Sequence, residues 1–163
     1  MNNRRSFVVG IKSTKLSSKE KSFLRKYKPW GVILFTRNIK NISQAYKLTS
    51  SIRKIFNDRK YPILIDQEGG RINRLKNIVS FEYLTSEFFG NKYAKNFREF
   101  NFFYRLFVDK TSYLLKLIGV NINTVPVLDL RIKGASNIIG DRSFSNNPKI
   151  VSKIGNKCIQ YFH

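Results

Sequence analysis

Apolar residues follow two rhythms along this chain. Four short, nearly continuous runs rich in β-branched residues lie at 7–11, 31–36, 62–66 and 120–129. Runs that are apolar at successive positions, rather than alternate ones, predict strands buried on both faces, as in parallel sheets covered by helices. The segments between and after them repeat at helical spacing. Ser17 with Glu20 three residues on predicts a capping box, followed by Phe23, Leu24 and Tyr27 on one face. Ala45, Leu48, Ile52, Ile55 and Phe56 form a second stripe. A longer helix is predicted from about Asn101 to Ile118, with Phe103, Leu106, Phe107, Leu114, Leu117 and Ile118 inward. The last helix takes Asn147 as its cap and Pro148 in its first turn, with Val151, Ile154, Cys158 and Phe162 sharing a face. Residues 78–96 show no clear period and are expected to form a loop with a short helix.

The order is strand then helix, four times, which predicts an α/β fold. No repeat, linker or composition change divides residues 1–163, so one domain is expected. The 42% hydrophobic content suffices for a core and argues against global disorder.

Charge changes this picture only slightly. Lys and Arg number 31 against 10 Asp and Glu, a formal charge of +21. Such a charge attracts polyanions in a salt-dependent, sequence-independent way. The cations are spread from Arg4 to Lys157 without a dense block, and the abundance of Lys, Asn and Ile is a bias of composition. No specific nucleic-acid partner is expected, and a basic nucleic-acid-binding protein is kept only as an alternative. Cys158 is the only cysteine, which excludes an intrachain disulfide and fits a reducing cytoplasm. The apolar run at 7–11 is too short for a signal-peptide core, and no stretch is long enough to span a bilayer. The expectation is a soluble cytoplasmic chain with no membrane partner.

Because acids are scarce, their positions are informative. Asp66, Glu68 and Asp129 fall at or just past the ends of predicted strands, and Asp141 lies in the loop after the fourth. Open α/β sheets and (β/α) barrels build their sites at that edge. A lone Asp more often caps a turn, but several acids at one edge with arginines nearby favour a site. The densest cluster is Asp66-Gln-Glu68-Gly69-Gly70-Arg71-Ile-Asn-Arg74. The glycine pair permits a sharp turn, and Asp66 at a strand tip can accept hydrogen bonds from two sugar hydroxyls. Arg71 or Arg74 either holds Asp66 or donates to ligand oxygens. The cluster lacks the phosphate-loop pattern, and its acids would repel a phosphate. A second cluster, Ile139-Gly-Asp141-Arg142-Ser-Phe-Ser145, offers Arg142 as a fixed donor, or else a local ion pair with Asp141 that shapes the loop.

The other candidates point to structure. His163 is the only histidine and gives neither a metal site nor a triad, so neither metal nor cofactor is expected. Cys158 lies on an apolar face and reads as core. The aromatic run from Phe97 to Phe107 is more often core than a stacking platform, and Trp30 is expected to pack.

Four stretches together, Pro29–Asn38, Ile65–Leu75, Gly119–Asp129 and Ile139–Ser145, resemble the bacterial β-N-acetylhexosaminidases of glycoside hydrolase family 3. The DQEGGRINRL and GDRSFS strings are the most specific. The resemblance implies a (β/α)8 barrel, of which this chain holds four strand–helix units, and an enzyme that removes terminal N-acetylglucosamine from peptidoglycan fragments during cell-wall recycling. It implies an amino-sugar substrate of muropeptide or chitooligosaccharide type. Asp66 would bind sugar hydroxyls, and Arg74 and Arg142 would donate to the same sugar, the three walling one pocket. The family retains configuration through a covalent intermediate, with an Asp nucleophile and a His acid/base assisted by an Asp, unlike the usual pair of carboxylates.

A KHxPGHG string, the catalytic His with its Asp, and the nucleophile are expected beyond residue 163, since a whole barrel takes about 250 residues. The isolated chain is therefore expected to be inactive, and open sheet edges to favour self-association. A partial product or incomplete sequence is favoured over a non-catalytic sugar-binding half-barrel.

Overall fold

The four apolar runs form the four strands of one sheet: β1 (Arg5–Gly10), β2 (Pro29–Leu34), β3 (Ile63–Ile65) and β4 (Ile122–Asn123). They pair in parallel in the order β1-β2-β3-β4, with Val32 opposite Ile63, Leu34 opposite Ile65 and Leu64 opposite Ile122. Val32, Leu34, Ile63, Leu64 and Ile65 are buried, as strands covered on both faces require. The computed structural model describes residues 4–134 and 136–162, so His163 lies outside the described residues. Contacts divide the chain into two compact units. One holds Met1–Asp66, Arg74–Val79 and Leu114–Thr124, and the other holds Gln67–Asn73, Ser80–Tyr113 and Val125–His163.

The first unit contains the whole sheet, with helices α1 (Ser18–Tyr27) and α2 (Ile42–Phe56). The capping box is present: Ser17 Oγ accepts from Glu20 N, and Glu20 accepts from Ser17 N at 2.8 Å. Leu24 is buried, whereas Phe23, read on the same face, is 41% exposed. In α2 the stripe holds: Ala45, Leu48 and Ile52 are buried, and Phe56 stacks on the buried Tyr61 at 3.9 Å. Tyr61 donates its hydroxyl to Pro29 O, and burial pushes that hydroxyl's pKa up to about 12. Trp30, expected to pack, is 42% exposed instead.

The fourth strand is much shorter than its apolar run. The Asn121 side chain accepts from Ile63 N, and Thr124 N donates to Ile65 O, so pairing with β3 ends there. Pro126 then has no N–H to extend a ladder. Asp129 therefore lies six residues past the last strand residue, Asn123, rather than at a strand end.

The second unit contains helices α3 (Ser86–Lys95) and α5 (Pro148–Phe162), and most of α4 (Phe97–Leu117). Two helices thus separate β3 from β4, the short one expected within residues 78–96 and the longer one expected from about Asn101, which starts four residues earlier, at Phe97. Thr85 caps α3 by accepting from Phe88 N at 3.0 Å. On α4 the buried positions are Phe100, Tyr104, Phe107, Val108, Thr111, Leu114 and Leu115. Phe103, Leu106 and Leu117, expected inward, are exposed instead, as are Phe97 and Phe102. The helix is apolar around much of its girth, so spacing alone did not choose the face. Phe89 packs edge-on to Tyr104, and Tyr104 packs edge-on to Phe144. α5 follows expectation: Asn147 accepts from Lys149 N at 2.9 Å, and Val151, Ile154 and Cys158 are buried.

Candidate functional site

In the first unit, Asp66 is the residue immediately after β3. Arg74 grips it with both arms of its fork, Nε to Oδ1 at 2.7 Å and Nη2 to Oδ2 at 2.6 Å. The two side chains remain 23% and 22% exposed, so the carboxylate is fixed without being sealed from solvent. A bidentate pair of this kind sets orientation as well as charge. Arg74 also lies over the Phe35 ring, 5.3 Å from its centroid, and Phe35 follows directly on β2. Of the two arginines considered for holding Asp66, the structure selects Arg74.

In the second unit, the turn after Gln67 is made by Gly69 and Gly70, with φ of 92° and 54°. A Cβ on Gly69 would stand 2.3 Å from Leu84 O, so glycine is required there for space as well as for backbone angle. This turn presents Glu68, whose side chain is only 7% exposed. Arg142 donates to it bidentately, Nε to Oε2 at 2.9 Å and Nη2 to Oε1 at 2.8 Å.

Arg71 turns to the other loop. Its Nη2 lies 2.7, 2.6 and 2.9 Å from the carbonyl oxygens of Asn137, Ile138 and Ile139, and its Nε lies 2.9 Å from Asp141 Oδ1. Asp141 and Arg142 occupy a single 3₁₀ turn, Gly140–Arg142, yet each bonds to the opposite loop. The local Asp141–Arg142 ion pair considered from sequence is therefore not formed. Asp129 is exposed and joins this region through its backbone, where its carbonyl accepts from Ser143 Oγ at 2.7 Å.

Sequence reasoning missed three contributors here. Ser143 is buried and ties Asp129 O to Ser145 O, an ordering role that only its place in the GDRSFS string could have signalled. Arg131 pairs with Glu87 on α3, across 44 residues, with no local signal. Gly90, in the middle of α3, allows the tightest backbone approach of any glycine: a Cβ there would fall 1.6 Å from Phe144 O. A glycine inside a helix was the available clue. Burial pushes the Cys158 thiol up, against the opposing effect of its hydrogen bond with Tyr104, so it is a poor nucleophile. Among the described residues, no group of three His, Cys, Asp or Glu is placed to hold a metal ion, and no helix is long and apolar enough to cross a membrane.

Chemically, each unit thus offers a carboxylate–guanidinium pair of fixed geometry. Planar forks and carboxylates of this kind suit a ligand rich in hydroxyl and amide groups.

Residues 6–163 match the sequence profile described as the glycosyl hydrolase family 3 N-terminal domain. The chain belongs to this family. Among curated relatives, the beta-hexosaminidase of Xanthomonas oryzae pv. oryzae is 33% identical over 158 residues, covering 96% of this chain and 46% of that protein. The beta-hexosaminidase of Thioalkalivibrio sulfidiphilus is 32% identical over 148 residues, covering 90% and 42% respectively. The chain thus spans less than half the length of these relatives.

Native NagZ from Neisseria gonorrhoeae superposes with a TM-score of 0.85 at 26% identity, over 98% of this chain and 46% of that one. NagZ solved with N-trifluoroacetyl-D-glucosamine gives 0.84 at the same identity, covering 98% of this chain and 46% of that one. The four parallel strands, in sequential order and unclosed, agree with the family's N-terminal barrel domain, as the resemblance implied.

Proposed function

We propose that this family 3 chain supplies the sugar-gripping residues of a β-N-acetylhexosaminidase acting on terminal N-acetylglucosamine. The observation that carries the proposal is the Asp66–Arg74 pair at the tip of β3, inside the DQEGGRINRL string. A carboxylate offers about four lone-pair directions, and Arg74 occupies two of them. Asp66 accepts from two hydroxyls of the sugar and Arg74 donates to its oxygens; from the family resemblance, Arg142 is proposed as a further donor to the sugar. The similarity to NagZ, solved with an N-acylglucosamine, supports an amino-sugar substrate, for which we propose a muropeptide or chitooligosaccharide source.

Hydrolysis proceeds with retention, through an Asp nucleophile and a His acid/base. The sequence holds one histidine, His163, and no KHxPGHG string. The 163-residue polypeptide is accordingly proposed to bind the sugar without cleaving it. We place this activity in the cytoplasm.

Calorimetry of the polypeptide with millimolar N-acetylglucosamine tests the grip. Binding heat from the wild type and none from Asp66→Asn is expected. No heat from the wild type would refute the proposed grip. Release of nitrophenol from a nitrophenyl N-acetyl-β-glucosaminide by the same polypeptide would refute the proposed division of labour.

A further inference from the structure

The loops at 67–73 and 137–142 each hold one acid and one arginine close together in sequence: Glu68 with Arg71, and Asp141 with Arg142. Pairing within each loop would neutralise all four charges with little ordering of the chain. The structure instead pairs them crosswise, Glu68 with Arg142 and Arg71 with Asp141. Crosswise pairing fixes the path of one loop against the other, which local pairing cannot do.

The two cross-links have different tasks. Arg71 and Asp141 are exposed, at 45% and 36%, and an exposed ion pair adds little by itself. The stronger feature of Arg71 is its hold on the backbone carbonyls of Asn137, Ile138 and Ile139. Bonds from a charged donor to successive carbonyls fix a backbone path. Ile139 O also accepts from Arg142 N at 2.8 Å, so the residue that Arg71 grips is the one on which the Arg142 turn closes. Glu68, nearly buried, then fixes the plane of the Arg142 guanidinium.

We infer that Arg71 and Glu68 are positioning residues for Arg142: Arg71 sets the backbone of its loop, and Glu68 sets its guanidinium. The inference rests on the proposed sugar-binding role of Arg142 only for its effect on affinity. Its effect on loop order is independent of any ligand.

Amide hydrogen exchange by NMR on the full chain separates the two. Lysine keeps the charge of Arg71 but replaces a planar fork with a point charge. Arg71→Lys and Arg71→Met should both speed exchange at the Arg142 and Ser143 amides, by ~10-fold or more for the loss of a local tether. α5 amides such as Ile154 should not change. Asp141→Asn, which leaves the carbonyl bonds intact, should have the smaller effect. N-acetylglucosamine affinity should fall several-fold in Arg71→Lys.

Wild-type protection at Arg142 and Ser143 in Arg71→Lys would overturn the inference, since charge alone would then suffice. Equal acceleration in α5 would also overturn it, because Arg71 would then support the whole unit. The expected exchange pattern in a chain that binds no sugar would uphold the positioning role and refute the sugar-binding reading.

Discussion

The pairs Asp66–Arg74 and Glu68–Arg142 have the same bidentate geometry and are assembled in opposite ways. The first joins residues eight apart, around one turn at the tip of β3, and leaves both side chains nearly a quarter exposed. The second joins residues 74 apart and leaves Glu68 only 7% exposed. Closing the longer span costs about 2 kcal/mol more chain entropy, from roughly three doublings of loop length. A short-range pair forms with its turn. The long-range pair requires the 137–142 loop to be held against the 67–73 turn, so it reports the integrity of the second unit.

The strongest way to break this comparison acts only on the long-range pair. Gly90→Ala forces a methyl group onto Phe144 O, two residues past Arg142. Backbone must move, at a cost of about 3 kcal/mol or more. Urea denaturation should show that loss. In NMR spectra the Arg142 Nε–H signal should disappear while that of Arg74 persists. Loss of both signals together would mean that the two pairs do not form separately.

Next in size is Glu68→Ala, which leaves a mostly buried guanidinium without its carboxylate. It should destabilise the chain by roughly 2–3 kcal/mol, read as a lowered Tm. Asp66→Asn should cost less, about 1 kcal/mol, because both side chains are part-exposed and the amide oxygen still accepts one of the two Arg74 bonds. Its loss of sugar binding, in contrast, should be complete. If Asp66→Asn proved the more destabilising of the two, the distinction between local and long-range pairs would fail.

The same distinction explains what the sequence made legible. The capping box at Ser17, the cap at Asn147 with Pro148, and Asp66 at a strand tip all depend on neighbours within a few residues, and all were readable. The 120–129 run was overread as strand because its apolar residues are real, while Thr124 bonding and Pro126 end the ladder. α3 was underread because Gly90 weakens its helical pattern, and the reason for that glycine, Phe144, lies 54 residues away. On α4, Phe102, Phe103 and Leu106 match a helical stripe as well as the buried Phe100 and Tyr104 do. Only tertiary packing separates the two faces. The crosswise pairing was hidden for the same reason, since Asp141 and Arg142 are adjacent in sequence and their partners are not.

The most direct measurement is a titration of the isotopically labelled chain with N-acetylglucosamine, followed through backbone amides and arginine Nε–H signals. Saturable shifts confined to Asp66, Arg74, Arg142 and their immediate neighbours are expected. Shifts absent there, or gathered instead on the exposed α4 residues Phe102, Leu106 and Tyr113, would contradict the proposed grip.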